Sequence, residues 1–253
     1  MTDLRIGCSG WSYKDWRGPF YPPGVKVEDQ LAWYAARFST VEINASFYRL
    51  PTEKAVAAWR DTVPDGFLFA WKASRFLTHN KKLKAPEDSL KLILGRMEPL
   101  GDRYGPILFQ LPPVLRLDRE RLAHFLDRLP GTRRCTVEFR HASWYAPEIF
   151  RLLAEHDVAL CVSDHHDAPS PWEATASFVY VRAHGPGGRY QGRYSEAELA
   201  ALAQAIEGWR AAGKAVFCYF DNDIKSAAPK DAERLIALCG APRRCAGGPA
   251  ATR

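Results

Sequence analysis

The chain has 253 residues, of which 47% are hydrophobic and 25% are charged, as in ordinary globular proteins rather than disordered or fibrous ones. Its formal net charge of +6 at pH 7 favours anionic partners. No apolar run is long enough to span a bilayer, and the polar start MTDLRIGCSGW does not resemble a secretory signal. We therefore expect a cytoplasmic protein with no membrane association.

Eight apolar runs rich in β-forming residues recur along the chain and predict eight strands. They cover residues 4–9, 39–44, 67–73, 106–111, 135–139, 159–164, 178–185 and 215–223. Amphipathic segments that predict helices follow every run except the sixth, and these cover residues 27–38, 51–63, 86–100, 118–129, 146–157, 195–213 and 228–239. After the sixth run the chain reads HHDAPSPWEATA, which has no helical pattern.

This alternation predicts a single TIM-barrel domain over residues 1–240, with an irregular segment in place of the helix after strand six. Nearly continuous apolar strands are expected where both faces of a parallel sheet are covered. A doubly wound open sheet is the alternative, because a pattern of this kind fixes the number of strands only loosely. Residues 241–253 are rich in glycine, alanine and proline, and we expect them to form a flexible tail.

Six cysteines are spread through the chain without a CxxC pair. They are Cys8, Cys135, Cys161, Cys218, Cys239 and Cys245, and four of them lie in the predicted strands. This pattern favours small buried thiols in a reducing compartment over a disulfide framework or a zinc site.

Polar residues fall at the carboxyl end of every predicted strand. In chain order they are Ser9, Glu42 and Asn44, Lys72, Gln110, Glu138 and Arg140, Asp164, Arg182 and His184, and Asp221, Asn222 and Asp223. In a barrel all these ends open on one face, where catalytic residues gather. Because burial of an unpaired carboxylate is costly, we expect Glu42 and Glu138 to be partly hydrated and close to cations. The alternative is a buried ion-pair network in which the acids neutralise Lys72, Arg140 and Arg182.

The loops after the strands add aromatic and basic residues to the same face. The first loop holds Trp11 among five aromatic residues, and the second loop contributes Tyr48. The third loop is rich in lysine, and the seventh, HGPGGRYQGRYS, combines glycines such as Gly187 with basic residues such as Arg189. Glycines let backbone N–H groups approach an anion, and TIM barrels often bind phosphate at the seventh and eighth loops. We therefore expect the mouth to bind an anion.

The motifs at these strand ends resemble those of the DUF72 or YecE-like family. In order they are GCSGWSYKDWRGPFYP, FSTVEINASFYRLP, KASRFLTHNKKL, ILFQLPP, VEFRHASW, VSDHH, VYVRAHG and CYFDNDIKSAAPKDAERL. The resemblance runs from about residue 4 to residue 240 and implies a TIM-barrel-like fold, but it implies little about chemistry, because the family is named for an unknown function. The chain departs from the family at Asp221, where the family usually has an asparagine, so one negative charge is added.

An enzyme of hydrolase or lyase type is the first functional hypothesis, with a small anionic, phosphate-bearing or sugar substrate. Glu42 and Glu138 would divide general acid and base work, and Asp164 would orient His184 as a base. The remaining polar residues would bind the substrate, namely Ser9, Trp11, Asn44, Tyr48, Lys72, Gln110, Arg140, Arg182, Gly187, Arg189, Asp221 and Asn222.

Other function classes stay open at this point. Interleaved aromatic and basic residues suit single-stranded nucleic acid, and a barrel without catalysis would serve as a scaffold. No cofactor is predicted. A divalent metal held by Glu42, Glu138, Asp164, His184 or Asp221 would give a metal-dependent barrel nuclease, but no HxH or HxxxH motif supports it. His165 and His166 would face opposite ways in an extended chain. No P-loop or dinucleotide-binding glycine motif follows a strand, and no GxSxG elbow occurs.

Overall fold

The eight apolar runs form eight parallel strands in a computed structural model, which describes residues 2–240. The strands are β1 (Leu4–Cys8), β2 (Thr40–Ile43), β3 (Leu68–Lys72), β4 (Tyr104–Gln110), β5 (Cys135–Glu138), β6 (Ala159–Ser163), β7 (Phe178–Ala183) and β8 (Ala215–Phe220). The predicted strands seven and eight run longer than the observed ones, because the last polar residues of each lie in the following loop. The tail predicted at residues 241–253 lies outside the described residues.

Within residues 2–240, seven α-helices surround the strands. They are α1 (Gln30–Ala35), α2 (Glu53–Thr62), α3 (Glu87–Met97), α4 (Arg119–Leu126), α5 (Pro147–Glu155), α6 (Glu196–Ala211) and α7 (Ala227–Leu238). The chain from 164 to 177 contains no helix, as predicted. The predicted helix over 27–38 is shorter in the structure, because a 3-10 turn at Val27–Asp29 precedes α1. No helix in the described range is long and apolar enough to cross a membrane.

The strand order around the sheet is β1-β8-β7-β6-β5-β4-β3-β2, with every neighbouring pair parallel. This is the order of a TIM barrel, so the predicted fold is confirmed and the open doubly wound sheet is excluded. The described cysteines are free thiols, and all but the half-buried Cys239 are buried. Cys245 lies outside the described part of the chain.

The seam between β1 and β2 closes the barrel through a few specific contacts. Ser9 forms an isolated bridge with Glu42, and the Gly10 N–H donates to the Glu42 carbonyl at 2.8 Å. Below this bridge, the buried Tyr34 hydroxyl accepts a hydrogen bond from the Cys8 N–H at 2.7 Å and donates to the Thr40 carbonyl at 3.0 Å. One phenol therefore satisfies backbone groups of both strands where they are not paired directly.

Strand register sorts the inward-facing side chains into layers. The lower layers are apolar and aromatic and hold Ala70, Leu108, Cys161, Phe178, Tyr180, Phe217 and Tyr219. Next to them, towards the carboxyl ends, Gln110 pairs in register with Glu138 and Ser163 pairs with Arg182. The apolar layers thus lie directly below the polar residues of the barrel mouth.

We expect Tyr34→Phe to lower the free energy of unfolding by about 1 to 3 kcal/mol, because it leaves the buried Cys8 N–H without an acceptor. Urea unfolding checks this value. Tyr48→Phe is the matched control, since Tyr48 is 70% exposed and its hydroxyl makes no hydrogen bond within residues 2–240. Equal stability of the two variants would contradict the role assigned to Tyr34.

Candidate functional site

Every strand delivers a polar side chain to one layer at the barrel mouth. The layer consists of Ser9, Glu42, Lys72, Gln110, Glu138, Ser163, Arg182 and Asp221. All of them are buried except the half-buried Gln110. The sequence analysis assigned Asp164 to strand six, but the inward residue is its neighbour Ser163, which pairs with Arg182 in register. A shift of one residue moves a side chain to the other face of a strand.

Arg182 stands at the centre of this layer and is completely buried. Its Nε and Nη2 donate to the two oxygens of Glu42 at 3.0 and 2.9 Å. Its Nη1 donates to Glu138 at 3.0 Å, and its Nη2 donates to Asp221 at 2.6 Å. One guanidinium therefore binds three carboxylates from three strand ends, and Asp221 is one of them. Burial lowers the pKa of Arg182, but the three acids outweigh it and raise this pKa.

Glu42 and Glu138 are both fully buried, and each forms an ion pair with Arg182. Besides Arg182, Glu42 accepts hydrogen bonds from the Ser9 hydroxyl at 2.5 Å and from the Tyr180 hydroxyl at 2.7 Å. Glu138 forms a second ion pair with Arg140 at 2.5 Å. Burial raises the pKa of each glutamate, but the cations and hydrogen bonds outweigh burial and hold both pKa values below the ordinary range.

The hydration expected for Glu42 and Glu138 therefore differs from the structure, which excludes water from both. The expected convergence and the expected cationic partners are present. Because both pKa values are lowered, both side chains are carboxylates at neutral pH and neither holds a proton to donate. Acid and base roles require environments that shift two pKa values in opposite directions. The geometry favours a role in holding Arg182 and Arg140 over a shared acid–base role.

His184 is also completely buried, and Asp164 orients it as the sequence suggested. Asp164 accepts the His184 backbone N–H at 2.7 Å and lies 3.2 Å from its Nδ1, while the Tyr194 hydroxyl donates to the other Asp164 oxygen. His184 Nε2 lies 3.0 Å from Arg182 and 3.2 Å from Arg140. Because guanidinium groups only donate, Nε2 is the acceptor and the ring proton is on Nδ1. His184 thus accepts hydrogen bonds from both arginines.

Asp223 is the acid at the mouth whose pKa is shifted in the opposite direction. Burial and then the neighbouring Asp221 raise the pKa of Asp223 well above its ordinary value of 3.8. Asp221 is held by Arg182, whereas Asp223 is not. Burial therefore shifts Asp223 towards its protonated form, which is the direction expected of a general acid, whereas Asp221 lies against a guanidinium. Asp223 was noted among the polar strand ends, but the sequence did not separate it from Asp221.

Lys72 differs from the other cations of the layer because it has no ion-pair or hydrogen-bond partner for its ammonium group within residues 2–240. It is 6% exposed, and its Nζ lies 4.6 Å from the centre of the Phe47 ring. Burial, followed by the charge of Arg182, lowers the pKa of Lys72 to about 8.

Lys72, Arg75 and Arg140 surround His79 and form what we call the cationic corner. Burial and these three cations lower the pKa of His79 to about 4. On the other side of Arg140, burial and Arg140 lower the pKa of His165 to about 3. Two imidazoles are thus kept neutral, first by burial and then by the cations beside them, so this part of the mouth carries positive charge.

The aromatic residues of the first loop fall into two groups. Trp16 and Tyr21 are buried and pack into the core, so they do not line the mouth as the sequence suggested. Trp11 and Tyr48, by contrast, line a cavity of about 270 Å³. The full lining is Gly10, Trp11, Ser12, Tyr13, Asn44, Ala45 and Tyr48. The structure therefore brings three predicted substrate-binding residues together, and the Phe47 ring, 5.0 Å from Tyr48, connects this cavity to the cationic corner.

Three other predicted binding residues lie away from this group. Gly187 and Arg189 are exposed in the seventh loop. Asn222 is buried and donates to the Gly192 carbonyl at 2.8 Å and to Asp231 at 2.9 Å, so it fixes the loop against α7. The neighbouring Gly188 has a φ of +66°, and a Cβ there would lie 2.2 Å from the Asp164 carbonyl. At least part of the glycine content of this loop therefore serves close packing rather than anion binding.

Among residues 2–240, one group of potential metal ligands has all its ligand atoms within 4.8 Å: His165, His166 and Asp167. The two histidine rings lie 4.4 Å apart, contrary to the expectation for an extended chain, because the chain turns at 165–168. Three of the five residues considered as metal ligands in the sequence analysis are already paired with Arg182. The Arg182 guanidinium fills the space between Glu42, Glu138 and Asp221, so a cation there would have to displace it.

Several residues of the site were given no role among the predicted site residues. They are Phe47, His79, Ser163, Tyr180, Tyr190 and Tyr194. The two-residue period of a strand predicts that Tyr180 faces the same side of β7 as Arg182, and the structure confirms this, since both side chains donate to Glu42. Tyr190, whose hydroxyl accepts from Arg140 at 3.0 Å, lies in a loop whose path the sequence does not reveal.

Comparison with known proteins agrees with the barrel described above. The family described as "Protein of unknown function DUF72" matches residues 5–252. The UPF0759 protein YecE of Escherichia coli strain K12 is 34% identical over 145 residues, which are 56% of this chain and 50% of YecE. The alignment thus spans only half the length of that relative. The UPF0759 protein YunF of Bacillus subtilis is 25% identical over 268 residues, covering 93% of this chain and 94% of YunF.

Solved structures of two DUF72 family proteins are similar to this chain. The protein from Thermotoga maritima has 27% sequence identity and a TM-score of 0.85, with 94% of this chain and 99% of that chain covered. The protein from Enterococcus faecalis has 21% identity and a TM-score of 0.79, with 94% and 96% covered, and supports the fold alone.

We expect Arg182→Met to lower the free energy of unfolding by about 3 to 5 kcal/mol, because three buried carboxylates lose their shared counter-ion. Chemical denaturation measures this loss. Arg189→Met, an exposed arginine without an ion pair in the described range, is the control and should change stability by no more than about 0.5 kcal/mol. A loss below about 1 kcal/mol in Arg182→Met would contradict the network.

The lowered pKa of Glu42 predicts how stability depends on pH. A carboxyl group with a lower pKa in the folded chain binds protons more readily when unfolded, so its contribution is present above the ordinary value of 4.5. The contribution is lost as the pH falls below 4.5 through the lowered pKa of the folded state.

Urea unfolding between about pH 7 and pH 3 should therefore show a steep acid decline in the wild type and a shallower decline in Glu42→Gln. Glu53→Gln, which changes an exposed acid on α2, should keep the wild-type profile. If Glu42→Gln declined as steeply as the wild type, the lowered pKa of Glu42 would be refuted.

Proposed function

Because the chain belongs to the DUF72 family, whose function is unknown, we propose from the site itself that it is an enzyme acting on a small anionic substrate. The substrate binds at the carboxyl-end mouth of the barrel, and the reaction is of hydrolase or lyase type. The observation that carries this proposal is the cationic corner, where Lys72 and Arg75 have no carboxylate partner within the described residues while two nearby imidazoles are held neutral.

Two cations without an acid of their own, Lys72 and Arg75, are matched to a ligand that brings negative charge. Arg75 is exposed and Lys72 is nearly buried, so the two form a path from the surface to the polar layer. Arg140, the third cation of the corner, and Arg182 do not contribute to this excess, because they are paired with Glu42, Glu138 and Asp221. A carboxylate or a phosphate group fits the corner.

The rest of the substrate has a place beside the corner. The cavity lined by Trp11, Asn44 and Tyr48 holds about 270 Å³, which suits a small molecule. Asp223, whose pKa is raised, is a candidate general acid at the same mouth. The buried layer under these groups keeps them in place, as the rigid scaffold of a barrel enzyme does.

Single-stranded nucleic acid is less well supported than a small molecule. Stacking requires exposed aromatic faces next to basic residues. Trp16 and Tyr21 are buried, which leaves Tyr48, Phe76 and the partly exposed Tyr190 as the exposed aromatic side chains near the corner among the described residues. A scaffold without catalysis does not account for a nearly buried lysine left without a partner.

Anion binding is tested by calorimetric titration of the full chain with phosphate, pyrophosphate and citrate. We expect at least one of these anions to bind, and we expect Arg75→Gln combined with Lys72→Met to weaken it about tenfold or more, a loss of about 1.4 kcal/mol. Arg151→Gln, on the exposed face of α5, is the control and should bind like the wild type.

Binding of none of these anions, or equal binding by the double variant, would contradict the proposal. Tight binding of a short single-stranded oligonucleotide with a steep salt dependence would instead favour the nucleic-acid alternative.

A further inference from the structure

We propose that the amine of Lys72 forms a Schiff base with a small aldehyde or ketone that carries a carboxylate or phosphate group. This inference rests on the proposed function for the anionic character of the substrate. It adds the chemical class of the reacting group and a residue that bonds to it covalently.

The position of Lys72 carries the inference. Lys72 is the last residue of β3, and it points into the barrel, since Ala70 two residues earlier lies in the internal layer. Its Nζ packs over Phe47 and makes no hydrogen bond or ion pair in the described part of the chain. A lysine placed for structure alone would be paired, because an unpaired buried ammonium is costly.

Charged side chains from several strands act on the Lys72 amine. Arg182 on β7 repels the ammonium form, and Asp221, Glu42 and Glu138 attract it. These acids are themselves engaged by Arg182, so burial dominates and lowers the pKa of Lys72 to about 8. Roughly a tenth of the amine is then neutral at pH 7, far more than for an ordinary lysine.

Schiff-base formation needs no co-reactant other than the carbonyl compound. The lone pair of the neutral amine attacks the carbonyl carbon, a C–N bond forms, and the π electrons move to oxygen, which takes up a proton. The nitrogen gives up a proton and so recovers its lone pair, which completes the carbinolamine. The hydroxyl group then takes up a second proton and leaves as water as the nitrogen lone pair forms the C=N bond. One water is released for each adduct, and the protons exchange with solvent at the mouth.

The same site suits the product of this step. A protonated Schiff base is a cation, so the Phe47 face that packs on the ammonium also stabilises the iminium. Arg75 at the rim is available to bind the carboxylate or phosphate of the substrate. An iminium draws electrons from the neighbouring carbon–carbon bond, which is the chemistry of a lyase.

The experiment uses the full chain, pyruvate as an anionic ketone and hydroxyacetone as a neutral one. Each ketone is incubated with the protein and sodium cyanoborohydride, and the reduced adduct is located by peptide mapping with mass spectrometry. We expect a single major adduct at Lys72, formed by pyruvate at least tenfold faster than by hydroxyacetone. Lys81→Met is the control for a basic residue of the same loop and should keep the adduct.

Lys72→Met should form no adduct at this position, and it should fold, because methionine removes a buried charge without a partner. The peptide map of the wild-type protein shows which lysine carries the adduct, so it tests the inference even if Lys72→Met were unstable. An adduct spread over exposed lysines and absent from Lys72 would overturn the inference, and anion binding would still support the proposed function. Equal rates for both ketones at Lys72, with no anion binding, would support the Schiff base and overturn the anionic substrate.

Discussion

The rest of the structure depends on one buried guanidinium. Arg182 is out of contact with water, and it is held by Glu42, Glu138 and Asp221 from β2, β5 and the end of β8. Moving these charges out of water is costly, and the mutual attraction offsets this cost only when every hydrogen bond is made. Ser9, Tyr180 and His184 supply further partners for Glu42 and Arg182. Strand ends that are far apart in the sequence are thereby linked through the Arg182 side chain.

This network determines which groups are left for function. Because Glu42 and Glu138 are occupied, the electrostatic character of the open part of the mouth comes from residues that the network leaves out. Lys72 and Arg75 supply positive charge, and Asp223 supplies a carboxyl group whose pKa is raised by burial and by Asp221. The buried charges are therefore a support for the site, and the chemistry is assigned to the residues around them.

The sequence predicted the strands, most of the helices and the lack of a helix between β6 and β7, because hydrophobic periodicity directly reflects which faces are buried. It also predicted that polar residues of all eight strands meet at one face. It left open whether Glu42 and Glu138 are partly hydrated or buried in an ion-pair network, since burial depends on how the chain packs over the barrel. The choice of Asp164 over Ser163, the inward packing of Trp16 and the turn that joins His165 to His166 depend on single-residue register and loop paths. Local patterns do not encode these features.

The central claim is that Glu42 and Glu138 are ionised at neutral pH and pair with Arg182. Carbon-13 NMR titration of the glutamate side-chain carboxyl carbons tests it most directly, with Glu42→Gln and Glu138→Gln used to assign the two signals. The account predicts that both carboxyl groups stay ionised from neutral pH down to 4.5, the ordinary value for glutamate, and gain protons only below it. Protonation of either group above 4.5 would contradict it.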